Sequence, residues 1–131
     1  MKFNHIGVFV ESLEFGRLHL SSILEIKKWT EPIVDETQGV IVQFGYCSSN
    51  ICYELIAPNA DINPVSKVLK DGKGILNHIA YKVDNIDQTI RHFQSLNNIL
   101  ISGPVEAKAF SNKKIAFFFT PLRFIVELIE D

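Results

Sequence analysis

Asn77-His78-Ile79-Ala80-Tyr81-Lys82-Val83-Asp84-Asn85-Ile86 reads as a strand that runs at once into a capped helix. The chain opens on the same plan, Asn4-His5-Ile6-Gly7-Val8-Phe9-Val10-Glu11-Ser12-Leu13, 73 residues earlier. Each histidine is followed 49 residues later by a glutamate set in an apolar run, Cys52-Tyr53-Glu54-Leu55-Ile56 and Ile125-Val126-Glu127-Leu128-Ile129. One offset shared by histidine, helix cap and glutamate marks an internal repeat.

In the first copy, residues 3–10 alternate as a strand, and Ser12 caps a helix to about Leu24 with Leu13, Leu20, Ile23 and Leu24 on one stripe. Arg17, His19, Ser21 and Ser22 are expected off that stripe. A strand over 25–31 is interrupted by Pro32; Val40–Tyr46 and Ile51–Ile56 follow as two more, joined by the turn Cys47-Ser48-Ser49-Asn50. The copy therefore reads βαβββ. Asn63-Pro64 opens a short connecting helix ended by Gly72 and Gly74. The second copy repeats the pattern: strand Leu76–Val83, a helix capped by Asn85 to about Leu96, a short strand Ile99–Ile101 before Gly103-Pro104, a loop, and strands Lys114–Phe119 and Phe124–Ile129. Ile86, Phe93 and Leu96 take the stripe positions of Leu13, Leu20 and Ile23, and Phe117 and Phe119 those of Phe44 and Tyr46.

A length of 131 residues fits a single domain, 1–131, with a first module over 1–58, a connecting helix within 59–75 and a second module over 76–131. Apolar residues at 47% and charged residues at 21% place it with globular proteins. A net charge of −2 without blocks of like charge argues against nucleic acid or an anionic membrane as partner, and points to a small molecule. No apolar run reaches the roughly 18 residues of a spanning helix, and no signal peptide is legible, so a cytoplasmic location is expected. Cys47 and Cys52 match neither a CxxC pair nor a disulfide framework and are read as free thiols.

If each module forms a curved sheet with the histidine on its first strand and the glutamate on its last, two modules side by side bring His5, Glu54, His78 and Glu127 together. Imidazole nitrogens and carboxylate oxygens suit one borderline divalent ion such as cobalt, nickel, zinc or manganese. A lone strand histidine is more often a hydrogen-bonded core residue. A glutamate is rarely buried unless paired or coordinating, and four residues on one offset favour the metal. His19 and His92 share the offset but lie at the edges of their helix stripes.

The sequence resembles the vicinal oxygen chelate superfamily of glyoxalases, bleomycin resistance proteins and dioxygenases. Pro64-Val65-Ser66-Lys67-Val68-Leu69 and Gly74 through Ile86 are similar to the segment that joins the modules of methylmalonyl-CoA epimerases. Asn4-His5-Ile6-Gly7, Tyr53-Glu54-Leu55-Ile56-Ala57-Pro58 and Val126-Glu127-Leu128 are similar to the other ligand motifs. The resemblance implies an α+β fold of two paired βαβββ modules in a curved, mostly antiparallel sheet, with a metal held by His5, Glu54, His78 and Glu127. The sequence departs from the epimerases at Asn77, where a histidine is frequent, and at Lys108–Lys114 and Thr120–Arg123, where a glycine-rich loop is usual.

The activity implied is a metal-dependent isomerase or lyase that moves a proton α to a carbonyl through a stabilised enolate, as in methylmalonyl-CoA epimerase, with Glu127 and Glu54 as the proton-transfer groups. The alternatives are a glyoxalase I-like lyase and a non-catalytic binding or resistance protein. The substrate is expected to be an acyl-CoA thioester or a glutathione hemithioacetal, and the assembly a homodimer. Lys67, Lys70, Lys73, Lys113, Lys114 and Arg123 are candidate cations for a substrate tail, although most are read as solvated. Phe9, Phe44, Phe117 and Phe119 are candidate pocket walls, and strand aromatics are more often core.

Overall fold

The computed structural model describes residues 1–72 and 76–131. It is an α+β fold of two similar copies: the second runs βαβββ, and the first adds one short strand to that order. The first copy runs β1 (Lys2–Phe9), α1 (Leu13–Ile23), β2 (Ile26–Trp29), β3 (Ile33–Asp35), β4 (Val40–Cys47) and β5 (Cys52–Pro58). After α2 (Val65–Lys70) come β6 (Leu76–Val83), α3 (Ile86–Ser95), β7 (Ile99–Ala107), β8 (Lys113–Phe119) and β9 (Ile125–Glu130), with a 3-10 turn at Lys108–Phe110. Among the described residues no helix is long and apolar enough to cross a membrane.

The chain forms two compact units, one of His5–Asn77 and one of His78–Asp131 with Met1–Asn4. The first copy has strand order β2-β4-β5-β1 and the second β6-β9-β8-β7. Neighbours are antiparallel except β1 with β5 and β6 with β9, which are parallel. Those two parallel pairs set the site. A helix links β1 to β2 and β6 to β7, so the module's last strand, not its second, returns beside its first.

Each helix starts as its cap residue dictates. Ser12 Oγ accepts the Phe15 N–H at 3.1 Å and Asn85 Oδ1 accepts the Gln88 N–H at 2.9 Å. Removing such a cap costs about 1 kcal/mol. Asn63 Oδ1 accepts the N–H groups of Val65 and Ser66 at the start of α2, as the Asn-Pro signal implies. Val10, Leu13, Leu55 and Ala57 form the layer between α1 and its strands. Val83, Ile86, Ile90, Ala116, Phe118, Val126 and Leu128 do the same beneath α3.

Four expectations need correction. First, a strand after Pro32 was not legible: β3 has only three residues, and it pairs back onto Val40–Val42. The tight return is closed by Asp35 Oδ1 accepting the Gln38 N–H, and by Gly39 at φ +67, where a Cβ would lie 2.2 Å from the Ile62 carbonyl oxygen. Second, β7 is not confined to 99–101. Register shifts carry its ladder with β8 past Gly103-Pro104 to Ala107, so the first part of the expected loop is strand. Third, Ile23 and Leu96 do not join the helix stripes; at the last turn they are 76% and 55% exposed. Fourth, Arg17 turns toward the sheet, where its Nη1 donates to Gln43 Oε1 at 2.7 Å. The expected role of Gly74 as a helix terminator lies outside the described residues.

Candidate metal centre

The two histidine-glutamate pairs are built alike, each within its own unit. On parallel β1 and β5, Gly7 stands opposite Glu54, so His5, two residues back, points to the same sheet face as the carboxylate. His5 Nε2 lies 2.7 Å from Glu54 Oε2, and the residues are 0% and 5% exposed. On β6 and β9, Ala80 stands opposite Glu127, which again sets the histidine two residues back on the carboxylate's face. His78 Nε2 lies 3.1 Å from Glu127 Oε2, at 4% and 1% exposure. The residue facing each carboxylate across the parallel pair is glycine or alanine, which leaves room for the longer side chain.

An aromatic ring completes each pair. Phe44 is directly across the ladder from Glu54, and its ring meets the His5 ring edge-on at 5.8 Å and 79°. Phe117 is across from Glu127 and meets His78 at 5.5 Å and 77°. These rings limit the positions open to each imidazole and exclude water from one side of it. Of the four phenylalanines considered as pocket walls, these two flank the histidines. Their equal offset was the signal that could have singled them out.

A carboxylate is costly to bury unless it is paired or coordinating, and each of these glutamates has an imidazole beside it. Residues of these types could hold a metal ion. Atoms bound to one ion at about 2.1 Å and at right angles are about 3 Å apart, close to both measured separations.

Around the first pair the same face is polar. Tyr46 stands across from Cys52, two residues from Glu54. Burial pushes the Tyr46 hydroxyl above its ordinary 10.0, and its hydrogen bond to the Cys52 sulfur adds to the shift. Burial likewise pushes the Cys52 thiol up; the Tyr46 bond opposes this and the Glu54 charge reinforces it. Cys47 and Cys52 are free thiols, as expected.

The other candidates fall away from the pairs. His19 and His92 are exposed on their helices. Lys67, Lys70, Lys114 and Arg123 are exposed, and Lys113 donates to the Asp131 carbonyl. Lys73 lies outside the described residues.

Residues 4–117 match the Glyoxalase/Bleomycin resistance protein/Dioxygenase superfamily. The chain belongs to that superfamily. Its fold is similar to that of methylmalonyl-CoA epimerase from Mycobacterium tuberculosis, with a TM-score of 0.79 and 21% identity over 98% of this chain and 87% of that one. A hypothetical protein from Bacillus halodurans C-125 is similar at a TM-score of 0.81 and 23% identity, covering 99% and 94% of the two chains. A Streptomyces coelicolor methylmalonyl-CoA epimerase variant in complex with 2-nitronate-propionyl-CoA is similar at 0.77 and 18% identity, covering 100% and 97%. No curated protein matches by sequence.

Proposed function

We propose that the protein is a divalent-metal-dependent isomerase of the methylmalonyl-CoA epimerase type, acting on an acyl-CoA thioester. The observation that carries this reading is the ligand set: His5 with Glu54 and His78 with Glu127 are two buried imidazole-carboxylate pairs built alike, and residues of this set could hold a metal ion. Two imidazoles and two carboxylates favour cobalt, nickel, zinc or manganese over a thiolate-seeking metal or calcium. The similarity of fold to the epimerases gives further support.

A metal bound by these four supplies positive charge toward the oxyanion that develops when a proton leaves the carbon beside a carbonyl. The chain's own residues supply the rest. Glu127 takes the proton: the two carboxylates, unlike the two imidazoles, do not have to remain neutral nitrogen donors. Glu54, its counterpart in the repeat, is the second acid-base group and returns a proton to the substrate. Epimerisation needs such a pair, because a single base that removes and restores the proton from one side returns the starting configuration. Phe44 and Phe117 hold the imidazoles and keep water from their rings.

The test is solvent deuterium incorporation into methylmalonyl-CoA by the metal-loaded protein, run beside isomerisation of a glutathione hemithioacetal. Exchange with methylmalonyl-CoA is expected, and Glu127→Gln is expected to retain metal and lose at least about a hundredfold in rate. Turnover of the hemithioacetal alone would replace the epimerase with a glyoxalase I-like lyase. Activity on neither would leave a binding protein.

A further inference from the structure

Within the His5–Asn77 unit, a recess of about 450 Å³ opens at the edge of the sheet formed by β2 and β4 and the turn after β4. Lys27, Lys28, Thr30, Tyr46, Ser48 and Asn50 are among its lining residues. A recess of that size is in the range that accepts a small molecule.

Its position follows from register. Phe44 is across from Glu54, Tyr46 is across from Cys52, and Lys28 is across from Tyr46. All of these side chains therefore share the sheet face that carries the His5–Glu54 pair. Along β4, the step from Phe44, which meets His5, to Tyr46, which lines the recess, is about 7 Å. The recess flanks the first histidine-glutamate pair.

Its charge is not balanced. Lys27 is engaged by Glu25, whereas Lys28 has no ion pair among the described residues, and no acidic side chain lines the recess. The Ser48 and Asn50 main-chain N–H groups are used, donating to the Glu25 carbonyl ahead of β2 and to the Cys47 carbonyl in the turn. Their side-chain hydroxyl and amide make no hydrogen bond among the described residues. The recess thus offers one uncompensated ammonium and two neutral polar groups. At the corresponding positions of the second copy, Lys28 is Ile101 and Tyr46 is Phe119, so the repeat itself does not require polar residues here.

We infer that this recess binds the anionic tail of the substrate, a phosphate or carboxylate held by Lys28 with Ser48 and Asn50 as neutral donors. The inference rests on the proposed reaction for its substrate and deepens it. The acyl group lies at the histidine-glutamate pair and the charged tail lies along β4. The ammonium gives affinity and orientation to the tail and takes no part in proton transfer.

The full chain, with and without added cobalt, is titrated with coenzyme A and separately with glutathione while backbone amide shifts are followed. Shifts at Lys28, Tyr46, Ser48 and Asn50 are expected, with coenzyme A if the tail is a phosphate and with glutathione if it is a carboxylate. Lys28→Glu should weaken that binding at least about tenfold, Lys28→Gln should weaken it less, and metal content should be unchanged in both. No shift at these residues with either probe at millimolar concentration would overturn the inference, as would an unchanged Kd in Lys28→Glu. Loss of metal binding or of deuterium exchange in the unmutated protein would count against the proposed reaction and leave this binding result standing.

Discussion

The two copies of the module agree where the histidine, phenylalanine and glutamate sit, and they share Val10/Val83, Leu13/Ile86 and Leu55/Leu128 behind them, but the rest of the helix-sheet layer differs. Beneath α1, Arg17 donates to Gln43 and Gln43 Nε2 donates to the Thr30 carbonyl, each at 2.7 Å. The Phe44 N–H reaches Thr30 Oγ1 at 3.1 Å, so this polar chain ends at the residue that flanks His5. The same positions beneath α3 are Ile90, Ala116 and Gly103, and the layer there is apolar. Bulk has also changed strands. Trp29 lies over Gly45, where a Cβ would meet its ring at 2.5 Å, and the corresponding residues in the second copy are Ser102 and Phe118. A ligand pair has few geometries that work, whereas a helix-sheet layer can be filled in several ways of similar volume.

The strongest test of the agreement is His5→Ala beside His78→Ala. Each is expected to abolish stoichiometric metal binding, measured by metal analysis after dialysis, while circular dichroism stays native. Metal retained at full stoichiometry in either variant would show that the pairs do not act together. The disagreement is tested next. Gln43→Ala leaves the Arg17 guanidinium facing a half-buried site without its partner and is expected to cost about 1–3 kcal/mol in denaturant unfolding. Arg17→Ile with Gln43→Ala copies the second module, and it should recover most of that loss. If the double variant is less stable than Gln43→Ala alone, the polar chain is required for more than filling its layer.

The smallest effect concerns a turn that the copies share. Cys47 N–H to Ile51 O at 3.1 Å and Asn50 N–H to Cys47 O at 2.9 Å match Thr120 N–H to Phe124 O at 3.0 Å and Arg123 N–H to Thr120 O at 2.9 Å. The fourth residue of each turn is left-handed, with φ 59 at Asn50 and φ 66 at Arg123. Asparagine adopts that conformation more readily than arginine. Arg123→Asn should therefore stabilise the protein by about 0.5–1 kcal/mol, read as a rise in Tm. A fall would mean that the arginine side chain compensates for its backbone.

These turns also show what could be read in advance. The histidines, glutamates, caps and most strands were legible because each rests on a residue type with one strong local reason, repeated at a fixed offset. Ser12 and Asn85 cap because their side chains reach the third N–H onward; Glu54 and Glu127 interrupt apolar runs that would otherwise be plain core. What was missed depends on contacts remote in sequence. β3 is held by pairing with β4, too short for any periodicity to show. β7 passes Gly103-Pro104 because β8 continues to offer it a partner. Arg17 looked like a surface residue until Gln43, 26 positions away, supplied an acceptor. Lys28 drew no notice among thirteen basic residues, since only the register of β2 on β4 places it on the face of Glu54.

The allocation of Met1–Asn4 to the same unit as His78–Asp131 has a consequence for synthesis. Phe3 packs edge-on against Tyr81 at 6.0 Å, and Tyr81 is made long after Phe3. On the ribosome, Ile6–Phe9 of β1 can pair with β5 as soon as β5 emerges, while the first residues of the same strand wait for a partner not yet translated. One strand is thus completed in two instalments, its first residues only after Tyr81 has been made.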